Sequence, residues 1–68
     1  MDGTEFVRRA KRYARRTGQS FRFDPGHGKG SHGRLWIGGR YTTVQRGELP
    51  TGTLTTMLRQ LGIDSRNF

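Results

Sequence analysis

The chain has 68 residues, no cysteine, and 13 lysines and arginines against five acidic side chains, for a net charge of +8. That length makes one small domain whose core supplies roughly 3 to 5 kcal/mol at best, and the lack of cysteine excludes disulfides and thiolate metal sites. No apolar run approaches the roughly 20 residues of a membrane span or looks like a signal peptide, so a cytoplasmic protein is expected, and the charge calls for a polyanionic partner: nucleic acid first, an acidic protein second, anionic lipid a weaker third.

Asp2 or Thr4 can cap a first helix that carries Glu5 near its start and Arg15 and Arg16 near its end, where the helix dipole favours each sign of charge. Gly18 closes it. Phe6, Val7, Ala10, Tyr13 and Ala14 form one apolar stripe at helical period, and Arg8, Arg9, Lys11, Arg12, Arg15 and Arg16 occupy the rest of the circumference. No acidic residue is interleaved after Glu5, so these cations repel one another unless an anion lies among them. Arg8, Arg12 and Arg15, opposite Phe6 and Ala10, are therefore expected to contact phosphates.

Phe21 and Phe23 alternate with Ser20 and Arg22, the period of a half-buried strand, before Asp24-Pro25-Gly26 turns the chain into a glycine-rich loop. Arg34 to Ile37 and Arg40 to Gln45 then flank Gly38-Gly39, which predicts a two-residue hairpin with Trp36 opposite Tyr41. In that register Leu35, Ile37 and Val44 share one face, and Arg34, Trp36, Tyr41 and Thr43 share the other, joined by His32 if the strand reaches back that far. A polar turn leads to Leu49-Pro50 and a second helix from about Thr51 to Leu61, with Leu54, Met57, Leu58 and Leu61 as its apolar stripe. Gly62 and Ile63 predict a Schellman ending, and Ser65 to Phe68 is expected to fray. The order helix, three strands, helix is an α+β fold in which both helices need the same sheet face, leaving the face with Trp36 and Tyr41 open.

Gly26 to Ile37 holds most of the chemistry. Lys29, His32 and Arg34 place cationic or proton-transferring groups in one short stretch, beside the Ser31 hydroxyl and backbone amides of a loop rich in glycine. A Walker loop is excluded, because that motif needs a preceding parallel strand, another glycine spacing and a helix directly afterwards. His27, His32 and Asp24 have no recognised ligand spacing, so neither a metal nor a cofactor is expected. His32 is the candidate acid or base, since imidazole alone among these side chains exchanges protons readily near neutral pH. Trp36 and Tyr41 can stack bases, or simply stabilise a small hairpin as a cross-strand pair.

The run Gly30-Ser31-His32 followed by Leu35, with Glu48-Leu49 and Gly52-Thr53-Leu54 leading into Met57-Leu58-Arg59-Gln60-Leu61-Gly62-Ile63, resembles the HicA toxins of bacterial and archaeal toxin–antitoxin systems over nearly the whole chain. The segment from Asp24 to Lys29 is longer than is usual in that family, and His27 stands where a basic residue is common, three positions before Gly30. The resemblance implies a fold similar to the double-stranded-RNA-binding domain, α-β-β-β-α. It also implies a ribonuclease acting on mRNA with His32 as its catalytic residue and Gly30 and Ser31 shaping the loop, neutralised by a HicB antitoxin that covers the site.

These strands combine into one expectation: a metal-independent endoribonuclease in which His32 takes the proton of a ribose 2′-OH while Lys29, Arg34 and loop amides stabilise the attacked phosphate. The alternatives are a non-catalytic RNA-binding module and a decayed toxin kept as an antitoxin-binding scaffold.

Overall fold

A computed structural model describes residues 1–26 and 32–68. Helix α1 spans Gly3–Arg16, strands β1, β2 and β3 span Phe21–Asp24, Gly33–Ile37 and Arg40–Val44, and helix α2 spans Thr51–Leu61. The strands form one antiparallel sheet in the order β1-β2-β3. This is the α-β-β-β-α arrangement expected from the sequence.

Each boundary has a local cause. Asp2, in extended conformation, accepts a hydrogen bond on its carboxylate from the Glu5 N–H at 2.8 Å, satisfying one of the donors that a helix start leaves unpaired. At the other end of α1 the Gln19 N–H reaches the Ala14 carbonyl at 2.8 Å. The matching bond at the end of α2 runs from the Ile63 N–H to the Leu58 carbonyl at 2.9 Å, and Gly62 provides the left-handed backbone, φ 71°, that lets the chain reverse there. Pro50, whose missing N–H costs nothing ahead of the first turn, precedes α2.

The hairpin register is as the Gly38-Gly39 turn requires: Trp36 pairs with Tyr41 and Ile37 with Arg40. Strand β1 adds antiparallel on the other side of β2, with Phe21 opposite Ile37 and Arg22 opposite Trp36. Because side chains alternate, Leu35, Ile37, Thr42 and Val44 all fall on one face, and all are buried. Helix α1 crosses β1 and β2 on that face, and α2 lies against β3. Phe6 fills the space beneath α1, while Ala10 and Ala14, short enough for close approach, are also fully buried. Met57, Leu58 and Leu61 supply the stripe of α2, and Leu49 and Ile63 close the ends of the core.

Thr42 is the buried polar residue in this layer, and its hydroxyl donates to Gln60 Oε1 at 2.6 Å, tying β3 to α2. Gly33 is a second packing constraint. A Cβ there would stand 2.8 Å from the Phe23 ring and 2.9 Å from the Asp24 carbonyl oxygen, so β1 can sit this close to β2 only because Gly33 has no side chain. Gly33 is thus part of the sheet rather than of the glycine loop.

The expected fraying of Ser65 to Phe68 is corrected by the structure. Asp64 Oδ1 accepts from the Arg66 N–H at 3.0 Å and starts a short 3-10 turn over Ser65–Asn67. Phe68 then packs on Phe6, ring centroids 5.0 Å apart. The partly buried Phe68 ring thus holds the end of the chain against the core.

Candidate nucleic-acid interface

The face of the sheet turned away from the helices carries Arg22 from β1, Arg34 and Trp36 from β2, and Tyr41 and Thr43 from β3. No other element covers it among the described residues. The Arg22 guanidinium lies over the Trp36 ring at 4.8 Å from its centroid, Trp36 and Tyr41 are 6.4 Å apart and tilted, and the Arg34 guanidinium lies over Tyr41 at 5.5 Å. Each cation is held by the negative face of a ring. The result is one layer of alternating charge and aromatic surface, with Trp36 half-buried and Tyr41 54% exposed.

His32 directly precedes β2 and is exposed. It lines a shallow cleft of about 270 Å³ with Asp24, Gly26, Arg34 and Trp36, so it joins the open face as the alternation of positions 32, 34 and 36 predicts. Asp24 Oδ1 accepts from the Gly26 N–H at 2.9 Å, a local turn that fixes the carboxylate at one edge of this cleft. His27, Lys29, Gly30 and Ser31 lie outside the described residues. Of the residues singled out from the sequence, the structure therefore brings together His32, Arg34, Trp36 and Tyr41.

It does not bring Arg8, Arg12 and Arg15 to them. Helix α1 turns Phe6, Ala10 and Ala14 to the sheet, so those three arginines point away from it, on the other side of the molecule from His32. Nor is the helix surface wholly without counterions: Arg8 pairs with Glu5, as does Arg9 through its Nε at 3.0 Å. The Arg9 bond first, then that from Arg8 and both positive charges, hold the Glu5 carboxyl below its usual range. Lys11, Arg12 and Arg15 have no carboxylate partner among the described residues.

A larger groove of about 440 Å³ opens at the start of α1, lined by Thr4, Val7, Phe23, Pro25, Val44 and Arg46 among others. It offers apolar surface and one cation but no imidazole or carboxylate for proton transfer, so its greater volume does not make it the better site for chemistry.

Arg22 and Asp24 were not among the site residues expected from the sequence. Their signal was present in the alternation around Phe21 and Phe23, which puts positions 22 and 24 on the face opposite the core; what the alternation does not reveal is that β1 pairs with β2 in the register that sets Arg22 against Trp36. Comparison of the chain with protein-family models, curated proteins and solved structures gives no match.

Proposed function

We propose that this chain is an endoribonuclease toxin of the HicA kind, an mRNA interferase acting without a metal and held in check by an acidic antitoxin that covers the open face. The observation that carries the reading is the position of His32, exposed in a cleft it shares with Arg34, at the edge of a surface that alternates guanidinium and ring. Neutral imidazole accepts the proton of a ribose 2′-OH, and the oxygen forms a bond to the adjacent phosphorus as the bond to the 5′-oxygen breaks. The 5′-oxygen takes a proton from water, and the other product carries a 2′,3′-cyclic phosphate. Arg34, and by position in the sequence Lys29 and the amides of Gly30 and Ser31, neutralise the charge that builds on the phosphate oxygens.

His32→Ala tests this directly. The change removes the proton acceptor at an exposed position, so folding and RNA affinity should persist, affinity shifting by less than about tenfold, while single-turnover cleavage of a labelled RNA in EDTA falls roughly a hundredfold to ten-thousandfold. His27→Ala should be much milder. Full activity in His32→Ala would remove the catalytic assignment, and RNA binding without cleavage by the wild-type chain would favour an RNA-binding module.

A further inference from the structure

We infer that the open sheet face selects unpaired RNA, with Tyr41 as the platform on which one base stacks and Arg22 as a residue that holds Trp36 in place beneath the strand. The inference rests on the reading of the chain as RNA-directed but not on its being a nuclease. Three observations lead to it.

The two rings are not equivalent. Both carry a guanidinium, Arg22 over Trp36 at 4.8 Å and Arg34 over Tyr41 at 5.5 Å, but Trp36 is half-buried. Tyr41 is the large aromatic that remains more than half exposed, at 54%, and so it has surface to offer an incoming base. Trp36 is the floor and Tyr41 the step.

The second observation is charge. Arg22 and Arg34 flank the ring pair, and neither is paired with a carboxylate among the described residues. A strand crossing the rings meets a cation on each side, which suits a phosphate before and after a stacked base. Paired bases in an A-form helix are stacked on one another and present no free ring face, whereas an unpaired base does. The face therefore discriminates by pairing state.

The third is spacing. His32 directly precedes β2, and at about 3.3 Å per residue an extended backbone puts its Cα roughly 13 Å from that of Trp36, whose side chain lines the same cleft. Tyr41, opposite Trp36 on the next strand, is not among the residues lining that cleft and so is further removed from the imidazole. The stacked base thus belongs to a neighbour of the nucleotide whose phosphate is at His32, and Arg34, between the two, holds the connecting backbone.

Trp36 is the chain's one tryptophan, so its fluorescence reports on this face alone. The experiment titrates the chain carrying His32→Ala, to prevent turnover, with a short unpaired oligoribonucleotide and with the same sequence annealed in a blunt duplex. The unpaired strand should bind more tightly and change Trp36 emission. Adding Tyr41→Ala should weaken that binding roughly 5- to 100-fold, while Tyr41→Phe, which keeps the ring, should restore it. Arg22→Gln should weaken it less and alter the emission of the free protein, since Trp36 loses its covering cation. Equal or tighter duplex binding, or unchanged affinity in Tyr41→Ala with the fold intact by circular dichroism, would overturn the inference. So would dependence on Tyr41 only for an acidic peptide and not for RNA, which would assign the face to a protein partner. Tyr41-dependent RNA binding by a wild-type chain that cuts nothing keeps this inference and removes the nuclease reading; efficient cleavage unaffected by Tyr41→Ala does the reverse.

Discussion

The two faces of the sheet are made by the same strands, residue by alternate residue, yet they obey different rules. The inner set, Leu35, Ile37, Thr42 and Val44, is covered by α1 and α2, and its one polar member is satisfied by Gln60. The outer set, Arg22, Arg34, Trp36 and Tyr41, has rings left partly in water and cations that no carboxylate answers among the described residues. A chain of 68 residues has only enough apolar side chains to build one core, so one sheet face had to remain a surface. This surface carries Thr43 and Asp24 too, but its aromatic and cationic members dominate it, and they are what supports the reading of it as a binding face.

The contrast is easiest to break from the inside. Phe6 is fully buried and carries Phe68 as well, so Phe6→Ala should cost about 3 to 5 kcal/mol, which is comparable to the whole stability available to a domain this small. Thermal or urea unfolding should show a chain largely unfolded at room temperature. A melting temperature within a few degrees of wild type would mean that the core is not where stability resides.

A smaller effect is expected from the helix surface on the far side from His32. Changing Arg8, Arg12 and Arg15 together to Gln leaves the core untouched, and if the RNA also reaches α1 it should lower affinity and reduce the slope of log K against log salt by roughly 2 to 3. Arg8 should contribute least of the three because Glu5 already pairs with it. An unchanged slope would confine the RNA to the sheet face, and a reduced one would require a strand that passes round the edge of the molecule.

The smallest effect concerns acid. Glu5 is held below its usual carboxylate range chiefly by its hydrogen bond from Arg9, and Asp64 by its side-chain bond from Arg66. A carboxyl whose folded-state value is depressed adds stability above its unfolded value and loses it as pH falls through the folded one. A slight loss of stability should therefore appear below the ordinary carboxylate range and not between neutral and weakly acidic pH. Asp64 is exposed and Glu5 partly so, so the slope should be shallow, and in Glu5→Gln with Asp64→Asn it should become shallower. No difference between the variant and the wild-type acid limb would discount these pairs.

Much of the architecture was legible because it is local. The 3.6-residue stripe of Phe6, Ala10 and Ala14, the two-residue turn at Gly38-Gly39 and the glycine ending at Gly62 each specify geometry within a few positions. What escaped involves residues far apart in the chain. Nothing near Phe68 announces Phe6 as its partner, nothing near Thr42 announces Gln60, and the short bridge between Asp2 and Glu48 joins segments with no shared pattern. The site divides in the same way. His32, Arg34 and Trp36 are neighbours at alternate positions and could be read together, whereas Arg22 enters through the β1–β2 pairing, and the separation of Arg8, Arg12 and Arg15 from the open face depends on which way α1 rolls onto the sheet.

The missing side chain at Gly33 bears on how variation here should be interpreted. Under the proposed function, two adjacent positions, His32 and Gly33, would resist substitution for unrelated reasons: imidazole for its proton chemistry, glycine because Phe23 and the Asp24 carbonyl already fill the space a methyl would need. A genetic screen for loss of activity would recover changes at both and, scored by phenotype alone, would draw a two-residue motif. Measuring soluble protein in each mutant separates them, since a lesion at 33 should remove the folded chain, whereas on the proposed function a lesion at 32 should leave it behind without activity.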